Sequence, residues 1–168
     1  ITIDLVCHGV PSLIIFKKYL SYYFGDNKIN NISFRDKSKF GWKNYNIKIE
    51  SNKMIYEKHH KKDPFFYGYL KNYYLNKVCY QCPFSKLPRI SDITLGDFWG
   101  APDYIDDDLG TSVAIINSTK GKNLINALEA KGNILLEELS LSDATRYNPR
   151  IVDGNLYIPQ QRNEIFKN

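Results

Sequence analysis

Apolar and polar positions alternate over residues 1–6 (Ile-Thr-Ile-Asp-Leu-Val), and the β-branched content makes this stretch a strand. Ser12 stands where a helix cap belongs. After it Leu13, Phe16, Leu20 and Tyr23 recur at helical spacing, with Lys17, Lys18 and Ser21 facing away, until Gly25 ends the helix. Residues 29–35 predict a second strand, 36–41 a polar turn, and 42–50 a third strand with Tyr45, Ile47 and Ile49 on one face. A turn over 51–53 leads into a fourth strand, 54–58, closing a hairpin. Asp63-Pro64 opens a second helix, whose face of Phe65, Tyr69, Leu70 and Tyr73 runs to about residue 75. Beyond a proline-bearing loop, residues 91–95 and 113–116 predict short strands. Residues 120–131 predict a helix stopped by Gly132, and 134–139 a last strand. From residue 140 the periodicity fades into an irregular tail with Asn148-Pro149. The pattern is mixed α/β: a mixed sheet flanked by helices, with a cysteine-bearing loop.

A chain of 168 residues, 43% hydrophobic, can bury one ordinary core, so a single domain over 1–168 is expected. No apolar run approaches the roughly eighteen residues of a membrane helix. A strand starting at Ile1, without methionine, leads us to expect a fragment of a longer protein. The excess of 23 lysines and arginines over 18 acids gives +5. That favours an anionic partner but is far from the dense basic stripe of a nucleic-acid binder. The run His59-His60-Lys61-Lys62 is expected to be exposed loop.

Chemistry concentrates between Cys79 and Gly100. Cys79-x-x-Cys82 spacing can bring two sulfurs to one metal, and thiolates select zinc or iron–sulfur over hard cations. A redox dithiol or coincidence has the same spacing. Pro83 and Pro88 indicate a loop rather than the helix of a thioredoxin-type motif. Cys7, in the Gly/Pro loop after the first strand, would add a third ligand, although it also suits a small buried residue. Three cysteines do not close a disulfide framework; three of four metal ligands fits the count, in a reducing, cytoplasmic setting. The acids Asp106, Asp107 and Asp108 lack the alternation and closing Glu of a calcium loop. No phosphate-binding glycine loop and no nucleophile–base–acid set can be assembled, so no catalytic residue is named.

Several segments resemble one family in order and over almost the whole chain. They are residues 4–12 (Asp-Leu-Val-Cys-His-Gly-Val-Pro-Ser), Phe34-Arg35-Asp36-Lys37 with Gly41-Trp42, Cys79-x-x-Cys82, residues 91–100 (Ser-Asp-Ile-Thr-Leu-Gly-Asp-Phe-Trp-Gly), and Asp107-Asp108-x-Gly110-Thr111-Ser112. Together they are similar to the C-terminal domain of the coenzyme F420 hydrogenase/dehydrogenase beta subunits. The resemblance implies an oxidoreductase with a [4Fe–4S] cluster and FAD that passes electrons to a second carrier or substrate, a deazaflavin of the F420 type in some relatives. It implies Cys7, Cys79 and Cys82 as cluster ligands, with a fourth upstream, and a redox partner protein or ferredoxin-like domain. Arg35, Lys43, Gly96, Asp97, Trp99, Gly110, Thr111 and Ser112 are the candidate flavin contacts, through backbone amides and cationic side chains. The competing reading is a zinc-stabilised binding module without redox activity.

Overall fold

Six strands form two three-stranded sheets in a computed structural model that describes residues 1–167 except Asp107 and Asn155. The fold is mixed α/β, as the periodicities predict. The chain divides into two units interleaved along the sequence, residues 1–8 with 81–155 and residues 9–80 with 156–168.

The first unit carries a mixed sheet. Strand β1 (Ile3–Leu5) runs parallel to the central strand β5 (Ile93–Asp97), which pairs antiparallel with β6 (Ser112–Ile116). Helix α3 (Thr119–Ala130) starts at Ser118, whose hydroxyl accepts the Gly121 amide at 3.1 Å. A short helix α4 (Leu141–Thr145) and a 3-10 turn (Pro149–Ile151) follow. Phe98, Val113, Ala144 and Ile151 form the core, with Val6, Ala101, Ile105 and Ile115 against it.

The second unit is an antiparallel meander. Strand β2 (Ile29–Asp36) pairs with β3 (Asn46–Ser51), and β3 with β4 (Ile55–His59). Helices α1 (Leu13–Phe24) and α2 (Pro64–Leu70) complete it. Its core is largely aromatic: Tyr19, Phe24, Tyr45, Tyr56, Phe65, Phe66 and Tyr74 surround Ile47 and Ile49. The Asp63 carboxylate, fully buried, holds this core together. It accepts the Tyr19 hydroxyl at 2.8 Å, the Tyr56 hydroxyl at 2.7 Å and, as helix cap, the Phe66 amide at 2.7 Å. A last short helix α5 (Gln161–Ile165) belongs to this unit. Arg162 fastens it by donating to the Leu75 carbonyl at 2.7 Å and lying over the Tyr80 and Phe166 rings.

Several expectations are corrected. Strand β3 starts at Asn46, because Gly41–Asn44 is a turn with Gly41 at φ 72. Helix α2 stops at Leu70, where Asn72 takes the left-handed conformation (φ 62). The Tyr74 carbonyl then accepts the Ser12 amide at 2.7 Å, Leu75 bridges to Pro11, and the Asn76 amide donates to the Val10 carbonyl at 2.8 Å. Leu13 and Leu70 are exposed, and Tyr19 rather than Leu13 is the buried anchor of α1. Ser12 caps α1 by position, but its hydroxyl makes no cap bond. His60 is buried rather than exposed: it stacks on Tyr45 with centroids 4.2 Å apart, and Nδ1 lies 3.0 Å from the Tyr45 carbonyl. Residues 134–139 form no strand; they find no ladder partner among the described residues, and Leu135 is 99% exposed.

Candidate functional site

In the first unit two of the three cysteines are fastened to one hydrogen-bonded node. Cys7 follows β1, with its thiol exposed and its carbonyl accepting Arg150 Nε–H at 3.2 Å. The buried Arg150 guanidinium also donates through Nη1 to the Gly154 carbonyl. The buried Ser85 hydroxyl lies 2.8 Å from that same carbonyl and 2.9 Å from the carbonyl of Cys82, sharing its single proton between them. The Cys7 and Cys82 backbones are therefore tied to the Gly154 carbonyl through Arg150 and Ser85. Gly154 has no room for a side chain, since a Cβ there would lie 2.8 Å from Lys86 Cβ and 3.0 Å from Ser85 Oγ.

Arg89 fixes the loop after Cys82. Its side chain is only 4% exposed; Nη1 donates to the Phe84 carbonyl at 2.7 Å and reaches Asp4 Oδ2 of β1 at 3.4 Å, while Nη2 donates to the Ser85 carbonyl at 3.2 Å. A cationic arginine thus locks the cysteine loop to the strand that presents Cys7.

Cys79 lies in the second unit, in the 3-10 turn Lys77–Tyr80. Its sulfur accepts the Val10 amide at 3.4 Å. The tight approach of this turn to residue 9 explains a glycine there. A Cβ on Gly9 would sit 2.9 Å from Leu75 Cδ1 and 3.3 Å from Cys79 Cβ, at a φ of 138. The Cys-x-x-Cys motif straddles the boundary, Cys79 falling one residue before the end of one unit's segment at Tyr80 and Cys82 in the other's. None of the three cysteines is in a disulfide. Among the described residues no three His, Cys, Asp or Glu side chains stand grouped as a metal cage. The donors themselves fit a soft centre: three thiols, one already receiving an amide N–H.

The flavin candidates divide in the same way. Gly96, Asp97, Trp99, Gly110, Thr111 and Ser112 belong to the first unit, Arg35 and Lys43 to the second. Gly96 pairs with Val113 and Asp97 with Ser112, and the Phe98 amide donates to the Thr111 carbonyl at 2.9 Å. The ends of β5 and β6 thus bring six candidates together. The Thr111 hydroxyl donates to the Ile105 carbonyl at 3.0 Å, and Gly110 has a φ of 99. Space beside the glycines of this loop is taken by the chain itself: Val6 would meet a Cβ on Gly96 at 2.8 Å, and the Tyr147 ring fills the place beside Gly100. Arg35 lies over the Tyr45 ring at 5.4 Å. Asp107 of the acidic motif lies outside the described residues.

Residues 1–142 match the family model for the C terminus of the coenzyme F420 hydrogenase/dehydrogenase beta subunit. The chain belongs to this family. The match takes in all three cysteines and every candidate flavin contact. Neither the curated proteins nor the solved structures contain a significant match. A family of hydrogenase and dehydrogenase beta subunits makes this an oxidoreductase-related domain that works with redox partners. No helix among the described residues is long and apolar enough to cross a membrane.

Sequence reasoning missed Arg150, Ser85, Gly154 and Arg89. Ser85 and Arg89, in the cysteine loop, stood near a motif; Arg150 and Gly154 did not.

Proposed function

We propose that this domain passes electrons between a [4Fe–4S] cluster, FAD and a second carrier, with Cys7, Cys79 and Cys82 as cluster ligands. The observation carrying this reading is the family match across residues 1–142, which includes all three thiols. A cluster exchanges single electrons and a flavin one or two, so together they connect a one-electron carrier to a two-electron substrate such as a deazaflavin. A four-ligand cluster takes one ligand beyond these three thiols.

The chain's own residues have definable tasks. The Val10 amide donates to the Cys79 sulfur, and a hydrogen bond to a ligating sulfur favours the reduced, more negative state of a cluster. Arg150 and Ser85 keep the Cys7 and Cys82 backbones in register. The backbone amides at residues 110 and 111 and the Ser112 hydroxyl, beside Gly96 and Asp97, are the donors we assign to a flavin phosphate or ring edge, and Arg35 and Lys43 offer positive charge.

The test is anaerobic purification of the full chain with iron, sulfide, zinc and flavin analysis and a visible spectrum, beside Cys79→Ser and Cys82→Ser. Bound iron and sulfide with absorbance above about 400 nm, lost in both variants, is the expected result. Stoichiometric zinc with neither iron nor flavin would replace this reading with a zinc-stabilised binding module.

A further inference from the structure

Cys79 is flanked in the second unit by exposed aliphatic side chains and by lysines. The bridge of Pro11 to Leu75 runs residues 10–12 antiparallel to 74–76, with the Asn76 amide donating to the Val10 carbonyl at 2.8 Å. The 3-10 turn then brings the Cys79 sulfur to the Val10 amide, 3.4 Å away. Val10, Leu13, Ile14 and Val78 of these two segments are each more than half exposed. Val10 bonds the sulfur through its backbone and Val78 precedes it in the chain, so the apolar surface adjoins the thiol.

The charge around it has one sign. Residues 9–25 and 64–80 contain Lys17, Lys18, Lys71 and Lys77 and none of the chain's 18 acids. Lys17 and Lys18 stand one turn after Leu13 and Ile14, on the same face of α1, and Lys77 precedes Val78. Lys17 and Lys77 make no ion pair among the described residues. Helix α5, which Arg162 fastens at Leu75, adds Arg162 and Lys167 against Glu164.

We propose that Val10, Leu13, Ile14 and Val78, with Lys17 and Lys77 beside them, dock an acidic one-electron carrier protein next to Cys79. This rests on the reading of Cys79 as a cluster ligand and names the partner of that site. The reduced carrier passes one electron to the centre that Cys79 ligates and leaves oxidised, with no bond made or broken. An apolar middle with a charged rim suits a small transient interface, and electron-transfer encounters bury less than about 1,200 Å². Lysines without acids steer a negative surface, whereas a second copy of this chain would set lysine against lysine.

Isothermal titration of the anaerobically purified full chain with an acidic plant-type [2Fe–2S] ferredoxin, at about 20 mM and about 500 mM salt, tests the docking. Iron, zinc and flavin content of the same sample tests the redox reading separately. Binding should be saturable, one to one, and at least about tenfold weaker at high salt. Lys17→Glu with Lys77→Glu should weaken it at least about tenfold at low salt and little at high salt, where the charges are screened. Leu13→Ser with Val78→Ser should weaken it about tenfold at both, since apolar burial is not screened. Lys28→Glu with Lys53→Glu makes the same change in net charge at the other end of α1, about 18 Å from Leu13, where the Asn52 amide donates to the Lys28 carbonyl. That pair should leave binding within about twofold, with the folding of every variant checked by circular dichroism. No saturable binding at about 100 μM ferredoxin, in a sample that holds iron, would overturn the docking surface and leave the redox reading standing. Equal losses in the two lysine pairs, or basic cytochrome c bound as tightly as ferredoxin, would overturn it as well. Binding of phosphatidylserine vesicles without ferredoxin binding would reassign the face to a lipid surface. Zinc with neither iron nor flavin would remove the redox reading and this inference with it.

Discussion

Arg150 donates from Nε to the carbonyl of Cys7, a residue 143 positions earlier in the chain. No local propensity accounts for a contact of that span. It exists because the 3-10 turn Pro149–Ile151 brings a buried guanidinium to the end of β1, where it satisfies two carbonyls at once.

Replacing Arg150 by Ala therefore leaves the Cys7 and Gly154 carbonyls without their charged donor. We expect a loss of about 1.5–3 kcal/mol in urea unfolding, and faster labelling of Cys7 and Cys82 by a thiol reagent than of Cys79. Arg150→Lys, which keeps charge but not the two-armed geometry, should recover only part of the protection. Unchanged labelling rates would show that the node does not position the cysteines.

Asp63 links α1, β4 and α2 through one carboxylate. Asp63→Ala orphans two phenols and a helix amide together, and should cost about 3–5 kcal/mol by chemical denaturation. Burial, and then the Asp63 hydrogen bond, push the Tyr19 phenol far above its ordinary range. A neutral phenol kept in the native state stabilises fully below the unfolded value of about 10, and this contribution is lost as pH rises past it. Stability should fall above about pH 10, with a shallower slope in Tyr19→Phe.

At the acid end the informative group is Asp92. The Ser118 hydroxyl, and then the Thr2 amide and hydroxyl, hold its carboxyl down at about 2. A depressed value means stability present above the unfolded value of about 4 and lost as pH falls towards 2. Asp92→Asn should flatten stability against pH between those limits, measured by thermal unfolding at stepped pH. An identical acid limb in wild type and variant would assign the loss elsewhere.

Gly121 in the first turn of α3 sets two effects against each other. Alanine would improve helix propensity by about 1 kcal/mol. Yet its Cβ would stand 2.3 Å from the Asp92 carbonyl oxygen and 3.0 Å from Ile93 Cγ1, and a backbone atom cannot swing aside. The clash should win, with Gly121→Ala lowering Tm by several degrees. A raised Tm would mean that α3 can slide on the sheet.

What a sequence can disclose follows from the range of the forces involved. The Asp63-Pro64 cap, the alternation of Ile47 and Ile49, and Gly132 at φ 70 depend on neighbours a few positions away, and each appears where its pattern predicts. His60 reads as solvated because its run is basic; its burial depends on Tyr45, fifteen residues back. Asn72 ends α2 early although the aromatic spacing continues, since Tyr74 and Leu75 find partners at residues 11 and 12 instead. For the candidate site, the thiols were visible as residue types. That Cys79 and Cys82 belong to different units was not, because spacing says nothing about where a compact unit closes.

The pairing of Ile3 with Ile93 also has a history in time. During synthesis, β1 leaves the ribosome ahead of the strand that will receive it. At roughly 5–20 residues per second, the ninety residues between Thr2 and Asp92 take about 5–20 s to arrive. Throughout that interval Ile1, Ile3 and Leu5, which stay exposed even in the finished fold, form a nascent apolar edge open to chaperones and to neighbouring chains.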